Sequence, residues 1–193
     1  MRRIAILAIL LVSLLVWAAP LAAAPPKVGG QLPDITLTAP KDSTEKDYLG
    51  WGWGKSFKIP EIKAPYVLIE IFSMYCPYCQ GEAPNVNKLY AKIQANPKLK
   101  DKIKLIGIGV GNTAFEVKTF KTKYKIPFPL FPDGDYVIHK QVGEVRTPYF
   151  IGVKINADGT TRVIHSQLGV LGDVDQFLTQ FSALTDLKQE VLP

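Results

Sequence analysis

The chain is poor in the residues on which metal and covalent-cofactor chemistry depends: its 193 residues include two cysteines, two histidines and two methionines. Two thiols and two imidazoles could complete one zinc shell, but His139 and His165 stand far apart without paired spacing, so no metal site is expected. Covalent haem attachment needs histidine directly after the second cysteine of a C-x-x-C, and Gln80 stands there. Neither sign of charge dominates, with 23 basic and 17 acidic residues. The lysines of "KLKDKIK" and "KTFKTKYK" are scattered and read as solvated faces, so no nucleic-acid partner is expected. After Ala24 there is no apolar run long enough to cross a bilayer, no internal repeat and no low-complexity linker.

What is present begins with a leader. "MRR", then "IAILAILLVSLLVW", then "AAPLAAAPP" form a basic region, an apolar region and a small-residue exit, the pattern of an export signal. The leader is a signal peptide cut after Ala22-Ala23-Ala24, or residues 4–24 stay as a membrane anchor. Both place the remainder in an extracytoplasmic, periplasm-like space. With 47% apolar residues, the rest can bury one sizeable core. The expected division is a leader over 1–24, an N-terminal hairpin extension over 25–64 and a single domain over 65–190.

Alternation in "DITLT" and "KSFKI", around a polar, Gly-rich centre, predicts two short strands of a hairpin-like opening. "YVLIEIF" and "KIKLIGIGV" are nearly continuous apolar runs, as in strands covered on both faces. Between them Val86, Leu89, Tyr90 and Ile93 recur at helical spacing, with Pro84 inside the first turns of that helix. A second helix is expected from Asn112 to about Tyr124, with Val117, Phe120 and Tyr124 facing in. "PFPLFPDGD" suits an edge strand or loop, and 135–142 a short helix. "PYFIGVKI" and "TTRVIHSQ" flank "NADG", a hairpin turn. The last helix places Val174, Phe177, Leu178 and Phe181 inward behind Gly172 and Asp173. This order predicts an α/β fold: a mixed central sheet, parallel in front and antiparallel behind, flanked by helices.

Cys76 and Cys79 fall where the first core strand ends and a helix begins. Unpaired backbone N–H groups and the helix dipole there favour an anion, which makes Cys76 the nucleophile. A spacing of two residues lets Cys79 reach back one turn and resolve a mixed disulfide at Cys76. A disulfide closing so short a loop adds little chain-entropy stabilisation, which argues against a structural staple, the bland use of a cysteine pair in an exported protein. Glu70 shares a strand face with Leu68 and Phe72. If both faces are covered, its carboxyl is buried, its pKa rises, and it can relay a proton to or from Cys79.

"YVLIEIFSMYCPYC", Pro84 and "VRTPYFIGVKINADGTTRVIHSQLG" resemble the thioredoxin superfamily, specifically the exported TlpA-like thiol-disulfide oxidoreductases. The resemblance implies a thioredoxin-like fold and makes Glu70 the family's buried acid and Pro84 its helix-kinking proline. It makes Pro148 the cis-proline beside the cysteine pair and Thr147 a backbone partner for a bound peptide, with Pro77 and Tyr78 at the same surface. It also implies protein thiols and disulfides as substrates, a membrane electron donor or acceptor, a monomer, and no cofactor beyond the redox-active Cys76–Cys79 disulfide. Tyr75 stands where the family usually has tryptophan. Pro77-Tyr78 is the pair familiar from glutaredoxins, so the direction of electron flow stays open, with a reductant, for example in cytochrome c maturation, as the expectation.

Two alternatives remain at the level of sequence. Ser73, three residues before Cys76, suits a peroxiredoxin-like peroxidase, although Ile69 replaces that group's proline. A copper-handling binding module would use Cys76, Cys79 and the surface near Pro148. Trp51 and Trp53, in "GWGWG", are expected to fold over the N-terminal hairpin.

Overall fold

A computed structural model describes residues 24–187. The expected leader lies outside the described residues except for Ala24, as do 188–190 of the expected domain. Among the described residues no helix is long and apolar enough to cross a membrane.

Strands β1 (Thr36–Thr38) and β2 (Ser56–Lys58) pair antiparallel with Leu37 opposite Phe57, as their alternation predicts. The polar stretch between them is not an open hairpin centre but helix α1 (Ser43–Leu49). The Asp42 carboxylate caps it, accepting from Glu45 N–H at 3.1 Å, and Gly50 ends it at φ 65°. Leu49 is the one buried residue of this helix, so it has no apolar period to read.

The main sheet has five strands in the order β5-β4-β3-β6-β7. They are β3 (Tyr66–Phe72), β4 (Ile103–Val110), β5 (Leu130–Asp133), β6 (Tyr149–Ile155) and β7 (Thr161–Leu168). β3 is parallel to β4 and antiparallel to β6, and β5 extends the parallel side. β6 and β7 form the hairpin whose turn has Gly159 at φ 80°. The helices are α2 (Pro77–Ala95), α3 (Ala114–Tyr124), α4 (Val137–Gln141) and α5 (Val174–Ala183).

β3 is buried along its whole length because both faces are covered. Val67, Ile69 and Ile71 pack with Leu37, Trp51, Phe57 and Ile59 of the N-terminal extension. Tyr66, Leu68 and Phe72 join Val86, Leu89 and Ile93 of α2 and Phe177 and Phe181 of α5. This double cover explains a strand without alternation, and it also fixes the surroundings of Glu70.

Two boundaries differ from expectation. α3 starts after Thr113, not at Asn112, because the Thr113 hydroxyl accepts from Glu116 N–H and the Glu116 carboxylate accepts from Thr113 N–H, closing a capping box. α4 starts at Val137: Tyr136 is left-handed at φ 59°, and the buried Asp133 carboxylate accepts from Ile138 and His139 N–H at 3.0 and 2.8 Å.

Candidate active site

Cys76 is the N-cap of α2, in extended backbone at φ −82° and ψ 115°, with no capping bond from its own side chain. Pro77 follows at the first helical position, where its missing N–H costs nothing. Both cysteines are free thiols, Cys76 half-buried and Cys79 buried. The Cys76 thiol donates to Thr147 C=O at 3.3 Å, and the Thr147–Pro148 peptide bond is cis.

The two thiols are displaced in opposite directions. Burial opposes ionisation of Cys76, but hydrogen bonds from the Thr147 side chain, from the Cys79 backbone and side chain and from the Tyr78 backbone outweigh it, so the thiol ionises below its ordinary value. Burial pushes Cys79 far up, and the neighbouring Cys76 and Glu70 push it further.

Glu70 lies at the middle of the sheet, between Gly107 of β4 and Phe150 of β6, and is 3% exposed. Burial raises its pKa to about 8, and the charges of Glu82 and Cys76 act in the same direction. The carboxyl expected on the Leu68 and Phe72 face is therefore protonated at neutral pH and electrostatically joined to Cys76 and Cys79.

Glu82 is a site residue that the sequence reading missed. It is 3% exposed, and its Oε1 accepts from Leu171 N–H at 2.8 Å while its Oε2 accepts from Asn85 Nδ2 at 3.2 Å. Its position carried a signal. Cys79, Ala83, Val86, Leu89 and Ile93 form the buried stripe of α2, and Glu82 falls on that stripe, where a charged residue has no structural reason to sit.

Other expected residues take distinct places. Tyr78 is 73% exposed beside the thiols, and Tyr75, also exposed, donates its hydroxyl to Glu116 on α3. Pro84 lies inside α2. Trp51 is buried against Phe57 at a ring distance of 5.6 Å, whereas Trp53 is 88% exposed and folds over nothing. The histidines stand apart from the thiols: His139 Nε2 donates to Val145 C=O at 2.9 Å, and His165 is edge-on to Phe177.

The profile of the AhpC/TSA family matches residues 28–170. The thiol-disulfide oxidoreductase ResA of Bacillus thuringiensis subsp. konkukian is 29% identical over 96 residues, 49% of this chain and 52% of its own length. The chain thus spans about half the length of that relative. The thioredoxin domain of a thiol-disulfide oxidoreductase from Bacteroides vulgatus has a TM-score of 0.59 at 18% identity, covering 82% of this chain and 99% of that one. A secreted Mycobacterium tuberculosis disulfide oxidoreductase homologous to E. coli DsbE has a TM-score of 0.53 at 23% identity, covering 78% and 96%. The fold is thioredoxin-like.

Proposed function

The chain belongs to the AhpC/TSA family, and on that premise we propose that it is an extracytoplasmic thiol-disulfide oxidoreductase. Its Cys76-Pro77-Tyr78-Cys79 pair exchanges electrons with protein substrates, working as a reductant, for example in cytochrome c maturation. The observation that carries this reading is the opposite displacement of the two thiols, Cys76 downward and Cys79 upward. Attack needs an anion at the surface, and resolution needs a second thiol that keeps its proton until its turn.

The Cys76 thiolate attacks a substrate disulfide, forming a mixed disulfide and releasing one substrate thiolate, which takes a proton from water. Cys79 then gives its proton to the ionised form of Glu70 and attacks the Cys76 sulfur. The Cys76–Cys79 disulfide forms, the substrate leaves as a dithiol, and two electrons have passed to it. A membrane dithiol donor reverses the change in the protein, and no cofactor beyond the cysteine pair takes part. Thr147 and Pro148, with Pro77 and Tyr78, hold the substrate segment in strand fashion. The chain acts as a monomer, and its leader supports the extracytoplasmic setting, as a cut signal or as an anchor.

The test is insulin reduction by the purified protein together with trapping in native extract. Cys76→Ser abolishes exchange, and Cys79→Ser accumulates mixed disulfides. Undiminished exchange by the double variant would end the reading. Peroxide consumption as fast as exchange would turn it toward a peroxidase.

A further inference from the structure

The turn that carries Cys76 is held by two side chains to which the exchange chemistry assigns no step. Met74 stands between the end of β3 and the start of α2. Its N–H donates to Asn112 Oδ1 at 2.8 Å, and its C=O accepts from Gln80 Nε2 at 2.7 Å. Both backbone groups of this one residue are therefore satisfied by carboxamides. Asn112 belongs to the corner between β4 and α3, is 0% exposed, and extends its Nδ2 to Ser73 Oγ at 3.5 Å. Gln80 lies in the first turn of α2, where its N–H donates to Cys76 C=O at 3.0 Å, and Cys76 N–H in turn donates to Ser73 C=O at 3.0 Å.

These bonds close a ring through residues 73–80 and fasten it to the neighbouring corner. A fully buried carboxamide is costly unless its polar atoms are used, and here they are used on the turn before the nucleophile. Backbone N–H groups at a helix start stabilise a sulfur anion only within hydrogen-bonding reach, so the benefit depends on where the turn puts the sulfur.

We propose that Asn112 and Gln80 are positioning residues for thiol-disulfide exchange: the two carboxamides clamp the Met74 backbone and so keep Cys76 Sγ beneath the N–H groups of Tyr78 and Cys79. The inference rests on Cys76 being the attacking sulfur.

The test uses the reduced full chain and follows two readouts, the pH profile of Cys76 alkylation by iodoacetamide and insulin reduction at neutral pH. Asn112→Ala and Gln80→Ala each move the alkylation inflection upward and slow exchange about fivefold, the loss set by one hydrogen bond to the turn. Val117→Ala removes buried volume from α3 next to Asn112's corner without touching the turn, and so lowers the melting temperature while leaving the inflection in place. If Asn112→Ala does not fold, Gln80→Ala, whose side chain is only half-buried, carries the same measurement. Variants that melt earlier yet keep the wild-type inflection and rate overturn the clamp. Wild-type protein without exchange activity would defeat the parent reading instead, so the two failures are distinct.

Discussion

Glu70→Gln isolates the one buried charge on which the proposed proton transfer depends. In the folded protein the carboxyl keeps its proton up to about pH 8, against an ordinary value of 4.5. The folded state therefore binds this proton more tightly than the unfolded chain does. The stabilisation is fully present below pH 4.5 and is lost as pH rises toward about 8. At about 1.4 kcal/mol per pH unit, the interval from about pH 5 to about pH 8 amounts to about 4 kcal/mol. Glutamine has nearly the same volume and no charge to bury, so the variant lacks this slope. Urea unfolding of both reduced proteins across that interval gives the assay. The variant gains about 4 kcal/mol on wild type from one end to the other. Taking the difference removes His165, whose burial holds its imidazole below the ordinary 6.5 and whose contribution runs the other way, lost as pH falls below that value. A flat difference curve would refute the reasoning, because Glu70 would then ionise normally in the folded state and would have no raised affinity for the Cys79 proton.

Glu82→Gln keeps an acceptor for Leu171 N–H but removes a charge that pushes Glu70 upward, so the Glu70 midpoint falls toward 4.5, read by carbon NMR of its carboxyl. Gly152→Ala crowds β6 against α5, since its Cβ would lie 2.5 Å from the Phe181 ring and 2.8 Å from His165 Cβ. The cost is about 1–3 kcal/mol in thermal unfolding. Thr113→Ala opens the capping box of α3 and lowers the unfolding free energy by about 1 kcal/mol, measured in urea.

How far the sequence could be read depended on whether burial left a pattern. β3 and β4 were legible because burial on both faces leaves an unbroken apolar run, and α2 and α5 because one face of each is buried. α1 was not, since its single buried residue, Leu49, makes no period. Asn112 was taken for a helix start because asparagine is a good N-cap, but Thr113 has Glu116 three residues on and wins the cap. That releases the Asn112 side chain for Met74. Of the site, Cys76, Cys79 and Glu70 were visible from spacing and strand face. Glu82 was passed over because a charge inside an amphipathic helix is easily assigned to its solvent side. The Met74 clamp joins residues far apart in sequence through the β4–α3 corner, and no local pattern announces it.

The site's two halves need opposite surroundings, and one segment supplies both. The middle of β3 is enclosed by two packed layers, so a carboxyl there loses its hydration and holds a proton. Six residues later the chain leaves the sheet for the first turn of α2, where N–H groups without helical partners favour an anion. The charges link the two places in time as well as in space. While Cys76 carries its negative charge, it raises the proton affinity of Glu70, and its sulfur also raises that of Cys79. Under the proposed exchange, formation of the mixed disulfide removes that charge. Both affinities then fall together, Glu70 ionises more readily, and Cys79 gives up its proton more easily. The first bond made to substrate thus prepares the acid and the second thiol for the step that releases it, which requires no movement of either group.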